Sequence, residues 1–398
     1  MDRITKIYPD GRMRIHGVNS LIIFYYSLTI YEPVLNTGSG SILKYYGYIL
    51  IAVILLTMWK RNNSLKVRIR REFFPLLIWF GIAIISLLWS INSVKGFDYV
   101  LSMGNVFLIA LLVTNISWNA KEIKALFLSY SISSLLFSII LIMTNRRVVS
   151  DTLRYTVKIF NATYDPNVVV GFIAPGVILL MFLFAKKLIK WYLVIPGTII
   201  IVYAVFLTAS RGGAFSLGAA TVFYFIAYMI KKRISIKKIL NVFVMIICAY
   251  FLIAFIVSRI DVSIVNRIFH LDMLEGSSID RVNLLKQAFS HFMNNPILGL
   301  GCGGLDAVTN NHGAHNMYMF VLADMGIVGF IPFIVMLIVF FRSLWSSENW
   351  ELTALLVCTC GVIFFLDSYH AKYFWNTLVF ILLSQHIDNN LSYTNEVK

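Results

Sequence analysis

Residues 43–71 read LKYYGYILIAVILLTMWKRNNSLKVRIRR, an apolar run over 43–59 that ends in a burst of Lys and Arg over 60–71. A helix of that length crosses a hydrocarbon core of about 30 Å, and clustered basic residues mark the end that stays in the cytoplasm. Further apolar runs lie near 18–35, 74–90, 97–116, 124–143, 167–185, 191–208, 213–230, 238–257, 316–341, 350–366 and 371–386. The expected fold class is all-α: a polytopic integral membrane protein of about 12 transmembrane helices, since helices satisfy their own backbone in lipid.

Composition agrees. The 398-residue chain is 59% hydrophobic and 13% charged, against about 45–50% and about 25% for soluble domains. The net charge of +15 would suggest nucleic acid on a soluble chain. Here it follows from the loops. With the N-terminus inside, the segments 1–17, 60–73, 117–124, 186–190, 231–238, 342–349 and 387–398 face the cytoplasm and hold 22 of the 34 Lys and Arg. The short outer loops at 36–42 and 91–96 hold one Lys between them. This asymmetry puts both termini in the cytoplasm and leaves no role for nucleic acid. No small-residue cleavage site follows the first apolar run, so no cleaved signal peptide is expected. Of the four cysteines, Cys248, Cys358 and Cys360 lie in apolar runs and read as packing residues. Cys302, in a polar segment, has no internal disulfide partner there.

Two outer loops are long, 144–166 and 258–315. In the second, Ser277 to Met293 reads as an amphipathic helix: Ser277 and Asp280 resemble a cap, and Val282, Leu285, Phe289 and Phe292 recur at helical spacing. Asn294-Asn295-Pro296 ends it, and Gly299, Gly301, Gly303 and Gly304 make an irregular loop leading to His315. A large outer loop points to work at the outer face. Mid-membrane charge is scarce, with Asp324 the clearest case, where an ion-coupled transporter would carry more.

Outer-facing arginines run against the positive-inside trend. Arg211 lies in Ala209-Ser210-Arg211-Gly212-Gly213, a tight turn between two spans. A helix start capped by Ser210, beside a guanidinium, suits phosphate or pyrophosphate; the alternative is an arginine that snorkels to headgroups. Arg281, in the first turn of the loop helix, opposes the helix dipole, so local stability does not account for it, although a solvated surface role would. His315-Asn316 stands where the loop re-enters the membrane, and an imidazole there suits a general base or a hydrogen-bonded bystander. His312 lies three residues earlier, but no third ligand at metal-site spacing accompanies the pair, so no metal is expected. Asp165-Pro166-Asn167 opens a span, where Asp165 serves as a cap or contacts a sugar hydroxyl. Gly326 and Gly329 read as small residues that let helices pack closely.

Taken in order, Asp165-Pro166-Asn167, Ser210-Arg211-Gly212-Gly213, Asp280-Arg281, Asn295-Pro296-Ile297-Leu298-Gly299-Leu300-Gly301, His315-Asn316-Met317-Tyr318 and Asp324-Met325-Gly326-Ile327-Val328-Gly329 resemble the O-antigen ligase and O-antigen polymerase superfamily of bacterial envelope proteins. The resemblance divides the chain into N-terminal helices and first outer loop (1–166), a ligase-like core (167–341) and C-terminal helices (342–398). It implies a metal-independent glycosyltransferase without cofactor, in the bacterial plasma (inner) membrane with its site on the outer face. The donor would be an undecaprenyl-pyrophosphate-linked glycan, with membrane lipid around it and a chain-length regulator and flippase as pathway partners. Arg211 and Arg281 would bind the pyrophosphate and His315 would deprotonate or hold the acceptor. Asn167, Asn316, Asp165 and Asp324 would take sugar-binding or structural parts. Relatives often carry Glu where Asp324 stands. Two functions follow from it, a polymerase of repeat units, which is the leading reading, and a ligase to lipid A core or another acceptor. A lipid-linked sugar flippase is an alternative of a different class, sharing the twelve spans and basic inner loops but not requiring the large outer loop with Arg281 and His315.

Overall fold

The computed structural model describes residues 17–231 except 33, 38–39, 63–66, 145–147, 150–154 and 160–161, and residues 276–396 except 348 and 368; between these blocks it describes only Leu240, Ile247, Phe251, Ala254, Phe255 and Val257 to Arg259. The helices, in order, are α1 (Val18–Thr29), α2 (Ile42–Asn62), α3 (Phe73–Ile85, continued by a 3-10 turn at Ser86–Leu88), α4 (Ser93–Asn115), α5 (Ala120–Thr144), α6 (Pro166–Ala185), α7 (Trp191–Leu207), α8 (Arg211–Lys231), α9 (Gly276–Asn294), α10 (Gly304–Val308), α11 (Met317–Ser346), α12 (Trp350–Phe364) and α13 (Lys372–Glu396).

Six of them are long and apolar enough to cross a membrane: Ile42–Lys60, Ser93–Asn115, Ala120–Thr144, Pro166–Ala185, Arg211–Ile230 and Met317–Ser346. Shorter apolar helices stand at Val18–Thr29, Phe73–Leu88, Trp191–Leu207 and Trp350–Phe364. The run expected at 238–257 falls largely outside the described residues. Helix ends follow local chemistry. Asn119 and Glu122 cap α5 reciprocally, the Asn119 N–H donating to Glu122 at 2.9 Å and the Glu122 N–H to Asn119 at 2.8 Å. Two of the expected outer loops carry short antiparallel ribbons, Asn36–Thr37 with Gly40–Ser41, and a meander of Val148–Val149, Tyr155–Ile159 and Ala162–Tyr164. A loop that returns on itself satisfies its backbone by such pairing, which apolar-run counting does not register.

The chain divides into two units. Unit 1 comprises Met1–Tyr130, Leu284–Ser343 and Asp367–Lys398. Within it, contacts join segments expected on one side of the membrane. Asn19 donates to the Ser117 carbonyl and to Glu122, and Arg70 to the Leu382 carbonyl. At the other end Lys372 pairs with Glu32, and Trp89 and Ser90 donate to the carbonyls of Leu298 and Cys302. Unit 2 comprises Ser131–Asn283 and Leu344–Leu366, with α12 packed against α8 and α6, and α6 against α7.

Two expectations about packing change. α11 is broken at Gly326 (φ 60°, ψ −164°), and the segment 296–301 docks into the break. Leu300 and Gly301 donate to the carbonyls of Ala323 (2.9 Å) and Asp324 (2.8 Å), and Ile327 donates to Pro296 (2.9 Å). A Cβ on Gly326 would stand 2.2 Å from the Ile297 oxygen. Gly326 therefore admits backbone to the helix rather than a second helix. The amphipathic helix is present, but it begins at Gly276, so Ser277 lies inside it, and its stripe is rotated: Val282 and Phe289 are exposed, whereas Ala288 is buried.

Candidate active site

In unit 2 the Asp-Pro-Asn and Ser-Arg-Gly-Gly motifs meet. The Asp165 carboxylate accepts the Asn167 N–H at 2.7 Å, with Pro166 at the helix start, so Asp165 serves as the cap of α6. Buried Asn167 in turn accepts the Ser210 hydroxyl. The same hydroxyl oxygen accepts the Gly213 N–H at 2.9 Å, which caps α8. The glycines are spatial requirements: a Cβ on Gly213 would stand 2.7 Å from Val170 Cβ, and one on Gly212 would stand 2.5 Å from the Phe365 ring. Arg211 is thereby fixed, half-exposed, as the first residue of α8, where the helix dipole favours an anion. Arg281 belongs to the same unit, half-buried on α9.

His315 and Asn316 belong to unit 1. Asn316 caps α11, accepting the Met319 N–H at 2.9 Å. His315 sits at φ 48°, a left-handed conformation that costs a side-chain-bearing residue roughly 1–2 kcal/mol. What holds it there is Asp367, one of whose oxygens accepts both the Ala314 N–H (2.6 Å) and the His315 N–H (2.7 Å). Gly313 makes room, since a Cβ there would stand 2.1 Å from that oxygen. Burial pushes the Asp367 carboxyl above the ordinary carboxylate range, while the His315 charge and the two N–H groups pull the other way.

Asp324 is fully buried and holds the glycine loop to α11. Its oxygens accept the N–H groups of Gly303 (2.7 Å) and Leu305 (2.6 Å) and the Tyr369 hydroxyl (2.6 Å). That set of partners makes it a structural carboxylate. Nearby in sequence, Asp306 pairs with Lys95 at 3.3 Å and accepts the Tyr99 hydroxyl. Burial pushes the Cys302 thiol up, with Asp324 and Asp306 adding to it, so Cys302 is a packing residue. Among the described residues no three His, Cys, Asp or Glu form a metal-holding group.

Residues 196–334 match the family model described as O-Antigen ligase. The match assigns this segment to the O-antigen ligase and polymerase superfamily. No curated protein matches the chain. The ligase-type segment contains Arg211, Arg281, His315 and Asp324; Asp165, Asn167 and Asp367 lie outside it. Asp367 was not foreseen from sequence. Its only signal is a carboxylate in the short turn between the apolar runs 350–366 and 371–386.

Proposed function

We propose that this chain is a polymerase that joins undecaprenyl-pyrophosphate-linked oligosaccharide repeat units into a surface polysaccharide at the outer face of the bacterial inner membrane. The observation that carries the reading is His315 held in a strained conformation by Asp367, within a segment of ligase type. Strain maintained by a buried carboxylate is a mark of a functional position.

The acceptor hydroxyl attacks the sugar carbon that bears the pyrophosphate. A carbon–oxygen bond forms there, the bond to the phosphate oxygen breaks, and its electron pair leaves with the pyrophosphate. His315 takes the hydroxyl proton as the bond forms. Arg211 at the α8 start and Arg281 neutralise charge growing on the leaving group, an interaction stronger in the transition state than in the ground state. The donor is already activated, so no nucleotide or metal enters. A topology of twelve spans with both termini inside puts these residues at the outer face, and the same-side contacts within unit 1 support the alternation of loops.

A second reading, a ligase that transfers finished glycan to lipid A core or another acceptor, is favoured by the description of the matching family. Deleting the gene and resolving the surface glycan on a gel separates the two. Loss of polymerase leaves single repeat units attached and no ladder. Loss of ligase leaves long chains on the lipid carrier and none attached, and repeat units trapped on the inner leaflet would mark a flippase. Full-length attached glycan in the mutant overturns the enzyme reading.

A further inference from the structure

Residues 296–302 belong to the large loop that hydropathy puts in water, yet most of their backbone groups bond within the protein. The carbonyls of Pro296 and Ile297 accept N–H groups of Ile327 and Val328 from the broken helix, and the Leu300 carbonyl accepts the Ile91 N–H. The Leu298 carbonyl accepts the Trp89 indole, and the Cys302 carbonyl accepts the Ser90 hydroxyl. The N–H groups of Gly299, Leu300 and Gly301 donate to Asn295, Ala323 and Asp324, and that of Cys302 to the Ser86 hydroxyl. A loop in water would leave such groups to solvent; irregular backbone at membrane depth must pair them within the protein.

The side chains do the opposite. Ile297 is 65% exposed and Leu298 48%, and the turn bonded to Leu298, Leu300 and Cys302 exposes Leu88 (85%), Ile91 and Val94 (77%). Ala323, the helix residue paired with Leu300, lies six residues past Met317, about 9 Å along α11 at 1.5 Å per residue. This apolar lip continues onto exposed Ile327, Val328 and Ile331 of α11 and Phe97 and Leu101 of α4, both spanning helices. Largely paired backbone with bare apolar side chains, continuous with the exposed apolar faces of two helices long enough to span, suits hydrocarbon better than water.

We propose that residues 296–302 and the 88–94 turn form a re-entrant, lipid-facing lip, seated among the acyl chains of the leaflet at the α11 start rather than in water. The lip closes the membrane side of the glycine loop, and it depends on the membrane placement alone, not on the identity of donor or acceptor.

The full chain is tested in nanodiscs, where both faces are open to reagent. Ile297→Cys, Leu298→Cys and Val94→Cys are made singly, with Asn310→Cys, exposed in the same loop, as the aqueous reference. The parent's own cysteines set the labelling background. A membrane-impermeant maleimide should modify positions 94, 297 and 298 an order of magnitude more slowly than position 310. Bimane placed at 94, 297 and 298 should be quenched by lipid carrying a nitroxide on its acyl chain. Labelling at 297 and 298 as fast as at 310, or quenching only by a headgroup nitroxide, overturns the proposal. Should a variant fail to fold, the two that remain decide the outcome by the same comparison.

Discussion

Asp367→Ala tests the claim that His315 is held rather than merely located. The carboxylate accepts two N–H groups, from Ala314 at 2.6 Å and His315 at 2.7 Å. Removing it leaves both without that partner, and an unsatisfied buried donor costs about 1–3 kcal/mol, so the loop loses about 2–6 kcal/mol. The left-handed conformation of His315, unfavourable by roughly 1–2 kcal/mol, then has nothing to offset it and relaxes. Asp367→Asn is the sharper control. It keeps an acceptor oxygen but loses charge assistance, a difference of about 1 kcal/mol for each bond. It also removes the burial of a charge.

The pH dependence follows in sign. Burial raises the Asp367 carboxyl pKa in the folded chain. The folded state therefore binds this proton more tightly than the unfolded state. The resulting stability is fully present below the unfolded pKa and falls as pH rises from there through the folded value. Asn abolishes that slope. Thermal unfolding of purified protein should show a clear loss for Asp367→Ala, and little loss for Asp367→Asn at neutral pH. The glycan ladder should vanish with Ala and weaken with Asn, whose neutral oxygen holds the two N–H groups less firmly. A normal ladder and an unchanged melting temperature in Asp367→Ala would refute the reasoning.

Arg211→Ala and Arg281→Ala should each abolish the ladder while the protein still accumulates in the membrane; normal ladders from both would sink the pyrophosphate assignment. Gly213→Ala places a methyl 2.7 Å from Val170 Cβ, and such overpacking typically costs 1–3 kcal/mol, read as a lower melting temperature. Ser210→Ala removes the cap of α8 and should cost about 1 kcal/mol, with activity reduced because Arg211 rides on that helix start.

Six of the expected spans were legible because length and apolar content decide them without tertiary information. So was the Ser210–Gly213 turn, since a serine just before an apolar helix is a local capping signal. The stripe on α9 was not. In a membrane protein, lipid and core are both apolar, so an apolar residue at helical spacing does not reveal which it faces: Phe289 is exposed and Ala288 is buried. Gly326 was ambiguous for a related reason. Small residues serve helix packing and helix breaking alike, and only the docked 296–301 segment decides between them. Asp367 could not be paired with His315 in advance, because a carboxylate that bonds backbone N–H groups 52 and 53 residues away leaves no pattern in the chain.

Where hydropathy loses contrast, backbone strain keeps it. Among the described residues, five that carry a side chain have positive φ: Lys187, Ala209, Asn310, Asn311 and His315. Two of these stand at the turns the functional reading uses, and the turns are built alike. Ala209 at φ 51° precedes Ser210, whose hydroxyl caps α8 at Gly213; His315 at φ 48° precedes Asn316, whose amide oxygen caps α11 at Met319. In each, a reversed residue turns the chain sharply into a capped helix start, and the functional side chain lies next to the cap, Arg211 after it and His315 before it. The capped helix start lends the side chain its rigidity. A guanidinium at one helix start and an imidazole at another are thus placed by a single local device, used once in each unit.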